Sequence, residues 1–138
     1  MDINRITSIE AYMIETLRLN GVTDQQIFSH AKQEKTDAWN EFNTNFDFRQ
    51  LTILVQEDEQ KFQSVLQNGY QVKYLTFPGL QRLLKLKFDF ESDRDYSVTE
   101  KGIYGLQLDE PTKAFVEQIL SQNWKLVKDN NRISIEML

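Results

Sequence analysis

The segment 89–100 carries the densest set of oxygen ligands in this sequence. Its candidate ligands are Asp89, Glu91, Asp93, Ser97 and Glu100. Hard cations such as Ca²⁺ prefer carboxylate and hydroxyl oxygens, and a loop that wraps around one ion turns alternate side chains inward. The spacing of these residues is therefore compatible with calcium binding.

These twelve residues resemble the calcium-binding loop of EF-hand proteins, where oxygen ligands alternate and a glutamate closes the loop. The segment departs from that loop at Arg94, which stands where a glycine normally allows the sharp bend. Gly102 and Gly105 also disfavour the helix that would follow. A solvated acidic turn between two strands explains the same residues, because Asp and Ser are common in turns. Calcium binding is thus a weaker alternative, and no resident metal or cofactor is expected.

A second candidate site is a local group of basic residues: Lys73, Arg82, Lys85 and Lys87. Alternating polarity predicts strands at 70–74 and 84–90. Lys73, Lys85 and Lys87 would then share the solvent face of a sheet and form a cationic strip beside aromatic rings, which suits RNA or single-stranded DNA. Lysines on exposed strand positions also discourage edge pairing, so an ordinary solvated face is the other interpretation.

The helical pair 8–33 is a third candidate. Both helices start with the spacing of a capping box: Thr7 with Glu10, and Thr23 with Gln26. Two helices joined by a short turn containing Gly21 have the geometry of a helix-turn-helix, which DNA-binding proteins use. However, Lys32 is the only cation of the second helix, and the surrounding acidic residues oppose docking on phosphate. A helical hairpin packed on the core is the simpler interpretation.

Trp39 and Trp124 are candidates for contact with a protein partner. Aromatic residues make up 12% of the chain, which is enough to fill a core and leave rings for the surface. Exposed Trp and Tyr are frequent at the centres of interfaces. Burial of both rings at the ends of the core is the other interpretation, because Trp is commonly buried for most of its surface.

Composition removes several classes of function. The chain has no cysteine, which excludes disulfides, thiol catalysis and cysteine-bound metals. His30 is the single histidine and has no neighbouring nucleophile or orienting carboxylate in the sequence. The net charge is −5, and the whole acidic surplus lies in residues 1–68, which argues against a generally basic nucleic-acid-binding surface. No phosphate loop or nucleophile motif is present, so we do not expect an enzyme.

The chain also lacks the patterns of membrane and secreted proteins. No apolar run approaches the roughly 20 residues that cross a bilayer. The first residues show no basic segment followed by an apolar stretch, as a signal peptide would. We therefore expect a cytoplasmic protein without a membrane partner.

Hydrophobic periodicity predicts an α+β fold in a single domain, 1–138, with a helical part, 1–69, and a sheet part, 70–138. The predicted helices are 8–19, 24–33, a short one after Thr36, and 47–68 with a kink or split near Asp58. The predicted sheet elements are strands 70–74, 84–90, 96–98 and 103–108, a helix capped by Asp109, and a terminal hairpin from 124 to 137. A sheet with one polar face is expected to be mainly antiparallel and covered by helices on the other face.

These observations favour a non-enzymatic interaction or regulatory protein that docks a protein partner or a second copy of itself. The alternative from another class is a nucleic-acid-binding regulator that uses the helical pair or the lysine strip. A steep loss of binding with salt would identify that alternative, because phosphate contacts release counterions.

Overall fold

The computed structural model describes residues 3–138, apart from the side chain of Asp129. Met1 and Asp2, which belong to the segment inspected for a signal peptide, lie outside the described residues. In chain order the first elements are β1 Arg5–Ile6, α1 Ser8–Leu19, α2 Asp24–Lys32, the 3-10 helix Asp37–Glu41, α3 Arg49–Glu57 and α4 Glu59–Asn68. The remaining elements are β2 Gln71–Val72, α5 Phe77–Phe88, β3 Ser97–Thr99, β4 Gly102–Leu106, α6 Glu110–Ile119, β5 Trp124–Asp129 and β6 Arg132–Met137. The predicted α+β class is confirmed.

The N-terminal helices begin and end where local chemistry predicts. Both capping boxes are formed: in the first, the Glu10 amide donates to the Thr7 hydroxyl at 3.1 Å, and the Thr7 amide donates to the Glu10 carboxylate at 2.8 Å. The predicted helix 47–68 is split at Asp58, whose side chain accepts from the Lys61 amide and caps α4. Gly69 ends α4 with φ +94°, a conformation that favours glycine.

The predicted strand 84–90 is wrong, because most of this segment is the second half of α5. Thr76 caps the helix through the Gly79 amide, and Pro78 lies in its first turn. The sequence favours a strand here because a helix places Lys87 within an apolar face made by Phe77, Leu80, Leu84 and Phe88. In the structure Lys87 does lie there, half-buried, with Nζ 3.3 Å from a Glu15 oxygen and 4.8 Å from the centre of the Phe115 ring. The carboxylate, which is distant in the sequence but close in space, and the face of the Phe115 ring stabilise the cation at that position.

The predicted strand 70–74 forms only in part and does not join the main sheet. Gln71 and Val72 pair in parallel with Arg5 and Ile6, so β1 and β2 make a separate ribbon. In such a strand Tyr74 alternates onto the same face as Tyr70 and Val72, which predicts a core position; in the structure it is 63% exposed. The main sheet is antiparallel with strand order β3-β4-β6-β5, and it includes the predicted terminal hairpin.

One face of the main sheet packs against the segment that leads into α5. Trp124 of β5 contacts Phe77 edge to face, with ring centres 5.9 Å apart, and its Nε1 donates to the Leu75 carbonyl at 2.8 Å. On the same face, Ile103 and Ile135 are fully buried. We call this the inner face.

No helix within residues 3–138 is both long enough and apolar enough to cross a membrane.

Two substitutions distinguish the observed helix from the predicted strand. Leu83 is 1% exposed on α5, whereas Leu86 is half-buried and would have been central in a strand at 84–90. We expect Leu83→Ala to lower the free energy of unfolding by about 2–5 kcal/mol, because it leaves a cavity in the core. Urea denaturation should show a clearly smaller loss for Leu86→Ala. Equal losses would contradict the position of this helix in the fold.

Candidate functional site

The lysines proposed as a cationic strip do not share a sheet face. Lys85 and Lys87 lie on α5, and Lys73 lies exposed beyond β2, so the strand placement behind that proposal is wrong. Lys85 Nζ is 2.5 Å from an Asp89 oxygen and also contacts the Glu91 carboxylate. The hydrogen bond to Asp89, followed by that to Glu91, raises the pKa of Lys85. Its charge is therefore offset within the chain, which weakens any attraction for phosphate.

Arg82 lies exposed on α5 and stacks on two aromatic rings. Its guanidinium carbon is 4.7 Å from the centre of the Tyr12 ring and 5.2 Å from that of Phe46. Such stacking attracts the cation to the ring faces and fixes the side chain against the helical layer. Arg82 thus covers the Tyr12 and Phe46 rings instead of joining a cationic strip on a sheet.

The acidic segment 89–100 is held by internal ion pairs. Arg94 contacts the carboxylates of Asp89, Glu91 and Asp95, and Lys85 contacts the first two. These cations occupy oxygens that a calcium ion would need. Among the side chains that the structure describes, no group of three or more His, Asp or Glu residues is placed to hold a metal ion. Calcium binding by this segment stays a prediction.

Both tryptophans lie in the core, where the alternative interpretation placed them. Trp39 is 2% exposed and Trp124 is 5% exposed. The Trp39 ring stacks with that of His30, with centres 5.7 Å apart, and meets Phe48 edge to face. Neither indole is available to a partner while the chain is folded in this way.

The helical pair α1 and α2 forms, but its cations are engaged. Lys32 pairs with Glu59 of α4 at 2.6 Å, and Arg18 of α1 pairs with Asp24 at 2.9 Å. These pairs connect α2 to α1 and α4, as expected for a helical hairpin that packs on the core. DNA binding by this pair stays a prediction.

A buried polar cluster that we did not predict is centred on Glu15 of α1. The Glu15 side chain is 1% exposed, and its Oε2 accepts from the Tyr70 hydroxyl at 2.8 Å and from Arg18 at 3.0 Å. Its Oε1 is 3.3 Å from Lys87 Nζ. Arg18 also donates to the Leu66 carbonyl at 3.1 Å. The cluster therefore links α1, α4, α5 and the residue before β2.

The Glu15 cluster has the composition of a structural ion network. A buried carboxylate is stable only when charges and hydrogen bonds compensate its lost hydration. Here Arg18 and Lys87 supply charge and Tyr70 supplies a hydroxyl proton. The sequence carries one signal for this cluster: Glu15 lies within a run of α1 residues that are otherwise apolar or small. The structure buries the whole run.

The face of the main sheet opposite the inner face carries several exposed side chains. We call it the open face; by strand alternation it carries Thr99, Tyr104, Lys125, Val127, Ser134 and Glu136. Tyr104 is 53% exposed and stands between two shallow hollows. The hollow of about 450 Å³ is lined by Thr99, Ser134 and Glu136, among others, and that of about 390 Å³ by Arg94, Ser97 and Arg132, among others. No motif marked Tyr104, because strand alternation alone does not tell which face the helices cover.

Comparison with known proteins gives no relative: no family model, no curated protein and no solved structure matches this chain.

The importance of the buried carboxylate can be measured with Glu15→Gln. This change keeps the shape but leaves Arg18 and Lys87 facing a neutral amide, so we expect the free energy of unfolding to fall by about 3 kcal/mol. Urea denaturation at neutral pH measures the loss. Glu117→Gln is the matched control, because Glu117 is exposed and its contact with Lys113 is 3.9 Å long; we expect a change below about 0.5 kcal/mol there. Similar losses in the two variants would contradict a structural role for Glu15.

Tyr70 predicts how stability depends on alkaline pH. Burial, followed by the adjacent Glu15 carboxylate, raises the pKa of Tyr70 well above its usual value. The folded state therefore keeps the phenolic proton after the unfolded chain has lost it, so stability present below about pH 10 declines above it. Urea denaturation on either side of that pH should show a steeper decline for the native chain than for Tyr70→Phe. At neutral pH, Tyr70→Phe should already be less stable by about 1.5–3 kcal/mol, because the charged hydrogen bond is lost. Parallel profiles would contradict this prediction, and Tyr104→Phe, at an exposed tyrosine, should retain the native profile.

Proposed function

We propose that this protein is a non-enzymatic interaction or regulatory protein of the cytoplasm, which docks a protein partner on the open face of its main sheet. The observation that carries the proposal is the position of Tyr104, which is 53% exposed at the centre of that face with a hollow on each side. Tyrosine is enriched among the residues that dominate binding energy, since it combines a large apolar surface with a hydroxyl group.

The surroundings of Tyr104 also suit a protein partner. Small residues, Gly105 and Ser134, leave space beside the ring, and Lys125 and Glu136 face each other across the β5–β6 ladder. An apolar centre with a polar rim of both charges is the usual anatomy of a protein interface. The absence of cysteine in the sequence fits a reducing compartment such as the cytoplasm.

The positions of the cations support a protein partner over a nucleic acid. Lys85, Lys87, Arg18 and Lys32 all contact carboxylates of the same chain. A nucleic-acid site needs clustered cations that are free to replace counterions on phosphates. The ion pairs of these four cations weaken their attraction for phosphate, which favours a protein partner over a nucleic acid at the helical part of the chain.

Capture from a native lysate, with and without nuclease, tests the proposal. We expect the tagged chain to retain a stoichiometric protein after nuclease treatment, and Tyr104→Ala to weaken that capture by about thirtyfold, as loss of a central tyrosine does in other interfaces. Tyr74→Ala is the matched control, because Tyr74 is similarly exposed but lies outside the main sheet. It should capture the partner as the native chain does.

Three outcomes would contradict the proposal. Loss of the captured proteins on nuclease treatment would indicate a nucleic-acid-binding protein. Equal capture by Tyr104→Ala and the native chain would place the docking surface elsewhere. Recovery of the tagged chain alone would remove the support for a protein partner.

A further inference from the structure

We propose that Gly105 shapes the docking surface through a β-bulge in β4. The bulge turns Tyr104 toward the open face and leaves a hollow beside its ring, which receives one side chain of the partner. This inference rests on the proposed function, because it names the residue that decides which groups fit on that surface. It is carried by the register of β4 against β6, by the backbone of Gly105 and by the space around that residue.

The register of β4 against β6 contains one extra residue. Ile103 and Leu106 pair with two isoleucines of β6 that lie only two positions apart. Between these pairs, β4 has Tyr104 and Gly105 where β6 has Ser134 alone. An extra residue of this kind is a β-bulge, which interrupts the alternation of the side chains. The side chains of β4 therefore change phase at this point.

The bulge explains why Tyr104 is exposed while Leu106 is buried. Residues two positions apart share a face in a regular strand, so Tyr104 and Leu106 would both face inward or both face outward. In the structure Tyr104 is 53% exposed, whereas Leu106 is fully buried and faces inward together with Ile103. A regular β4 would thus either turn Tyr104 inward or expose Leu106 beside it. The bulge therefore gives the open face its accessible tyrosine ring.

The backbone of Gly105 allows this bulge to form. Gly105 has φ +87°, and glycine in this left-handed region is typical of one common class of bulge. Other residues adopt that conformation at a cost, which is large for β-branched side chains and small for asparagine. Arg132, the first residue of β6, donates from Nη1 to the Gly105 carbonyl at 3.2 Å. This hydrogen bond holds the bulge against β6.

Glycine at position 105 also shapes the surface, because it has no side chain. Gly105 and Tyr104 both line the hollow of about 390 Å³. A β-carbon on Gly105 would meet no atom within 4 Å, so a larger side chain there would extend into free space instead of into the protein. Residue 105 thus sets the size of the group that fits beside the Tyr104 ring.

Nitration with tetranitromethane tests the position of Tyr104 without any partner. The reagent modifies accessible tyrosine rings, and mass spectrometry measures each ring separately. Tyr74 and Tyr104 are the exposed tyrosines, so we expect both to react in the native chain. Gly105→Val should lower the reactivity of Tyr104 relative to Tyr74 by about fivefold, because a β-branched residue disfavours positive φ. Without the bulge the Tyr104 ring is either turned inward or covered by Leu106.

Matched variants make this test specific. Gly21→Val imposes the same backbone strain in the loop between α1 and α2, because Gly21 has φ +84° and its β-carbon would also meet no atom within 4 Å. It should leave the reactivity of Tyr104 at the native value. Gly105→Asn should keep that value as well, since asparagine tolerates positive φ.

The buried tyrosines report whether each variant is folded. These rings are Tyr12, Tyr70 and Tyr96. If they react in Gly105→Val, that variant is unfolded, and Gly105→Ala, which imposes a smaller strain, takes its place beside Gly105→Asn. We then expect a lower relative reactivity of Tyr104 in Gly105→Ala than in Gly105→Asn.

Capture of the partner tests the hollow. Gly105→Asn keeps the exposed Tyr104 ring but places an amide group in the hollow, so we expect it to weaken the capture described above by about tenfold. Gly21→Asn, at the other glycine of similar φ, is the matched control and should capture the partner as the native chain does.

The outcomes separate this inference from the proposed function. Unchanged Tyr104 reactivity in a folded valine or alanine variant would overturn the positioning by Gly105, even where Tyr104-dependent capture still supports the proposed function. Native capture by Gly105→Asn would overturn the role of the hollow. Lower Tyr104 reactivity without any captured partner would support the positioning of the ring, and it would contradict both the proposed function and the use of the hollow.

Discussion

The burial of the Glu15 carboxylate is the constraint on which the arrangement of this chain depends. One carboxylate receives a hydroxyl from Tyr70 and cations from Arg18 and Lys87, and the four residues come from both halves of the sequence. Leaving any of these groups without its partners inside the protein would cost several kcal/mol. This cluster therefore favours the observed position of α5 on the helical layer, because that position brings Lys87 to the Glu15 carboxylate that Arg18 and Tyr70 also contact.

The position of α5 in turn decides what the main sheet can do. The Trp124 ring packs against Phe77, the first residue of α5, and its indole N–H donates to the Leu75 carbonyl. These two contacts hold the terminal hairpin against the start of α5. Because this packing covers the inner face, the opposite face stays exposed with Tyr104 at its centre. Residues that sequence composition offered for binding, Trp39 and Trp124, are thereby used to build the core. The proposed docking surface is instead centred on Tyr104, a tyrosine that no motif marked.

Like the two tryptophans, several charged residues that the sequence offers for binding make contacts within the fold. Of the cations that form a cluster in the sequence, Lys85 and Lys87 lie on α5 and pair with the carboxylates of Asp89, Glu91 and Glu15, whereas Arg82 stacks on aromatic rings. The ion pairs of the two lysines weaken the attraction of this basic run for phosphate. On the open face, by contrast, the ring of Tyr104 is 53% exposed. The proposed function of this protein is therefore a property of the main sheet.

The sequence by itself determined the elements whose causes are local. Capping boxes, the break at Asp58 and the two strands of the terminal hairpin depend on residues a few positions apart, and they were predicted correctly. Only the tertiary structure decided the elements whose partners are distant. Lys87 is accepted in the apolar face of α5 because Glu15 lies opposite, and β2 is a strand because β1 pairs with it. The exposure of Tyr104 belongs to the same class, since periodicity reveals that a strand has two faces, whereas packing decides which one is covered.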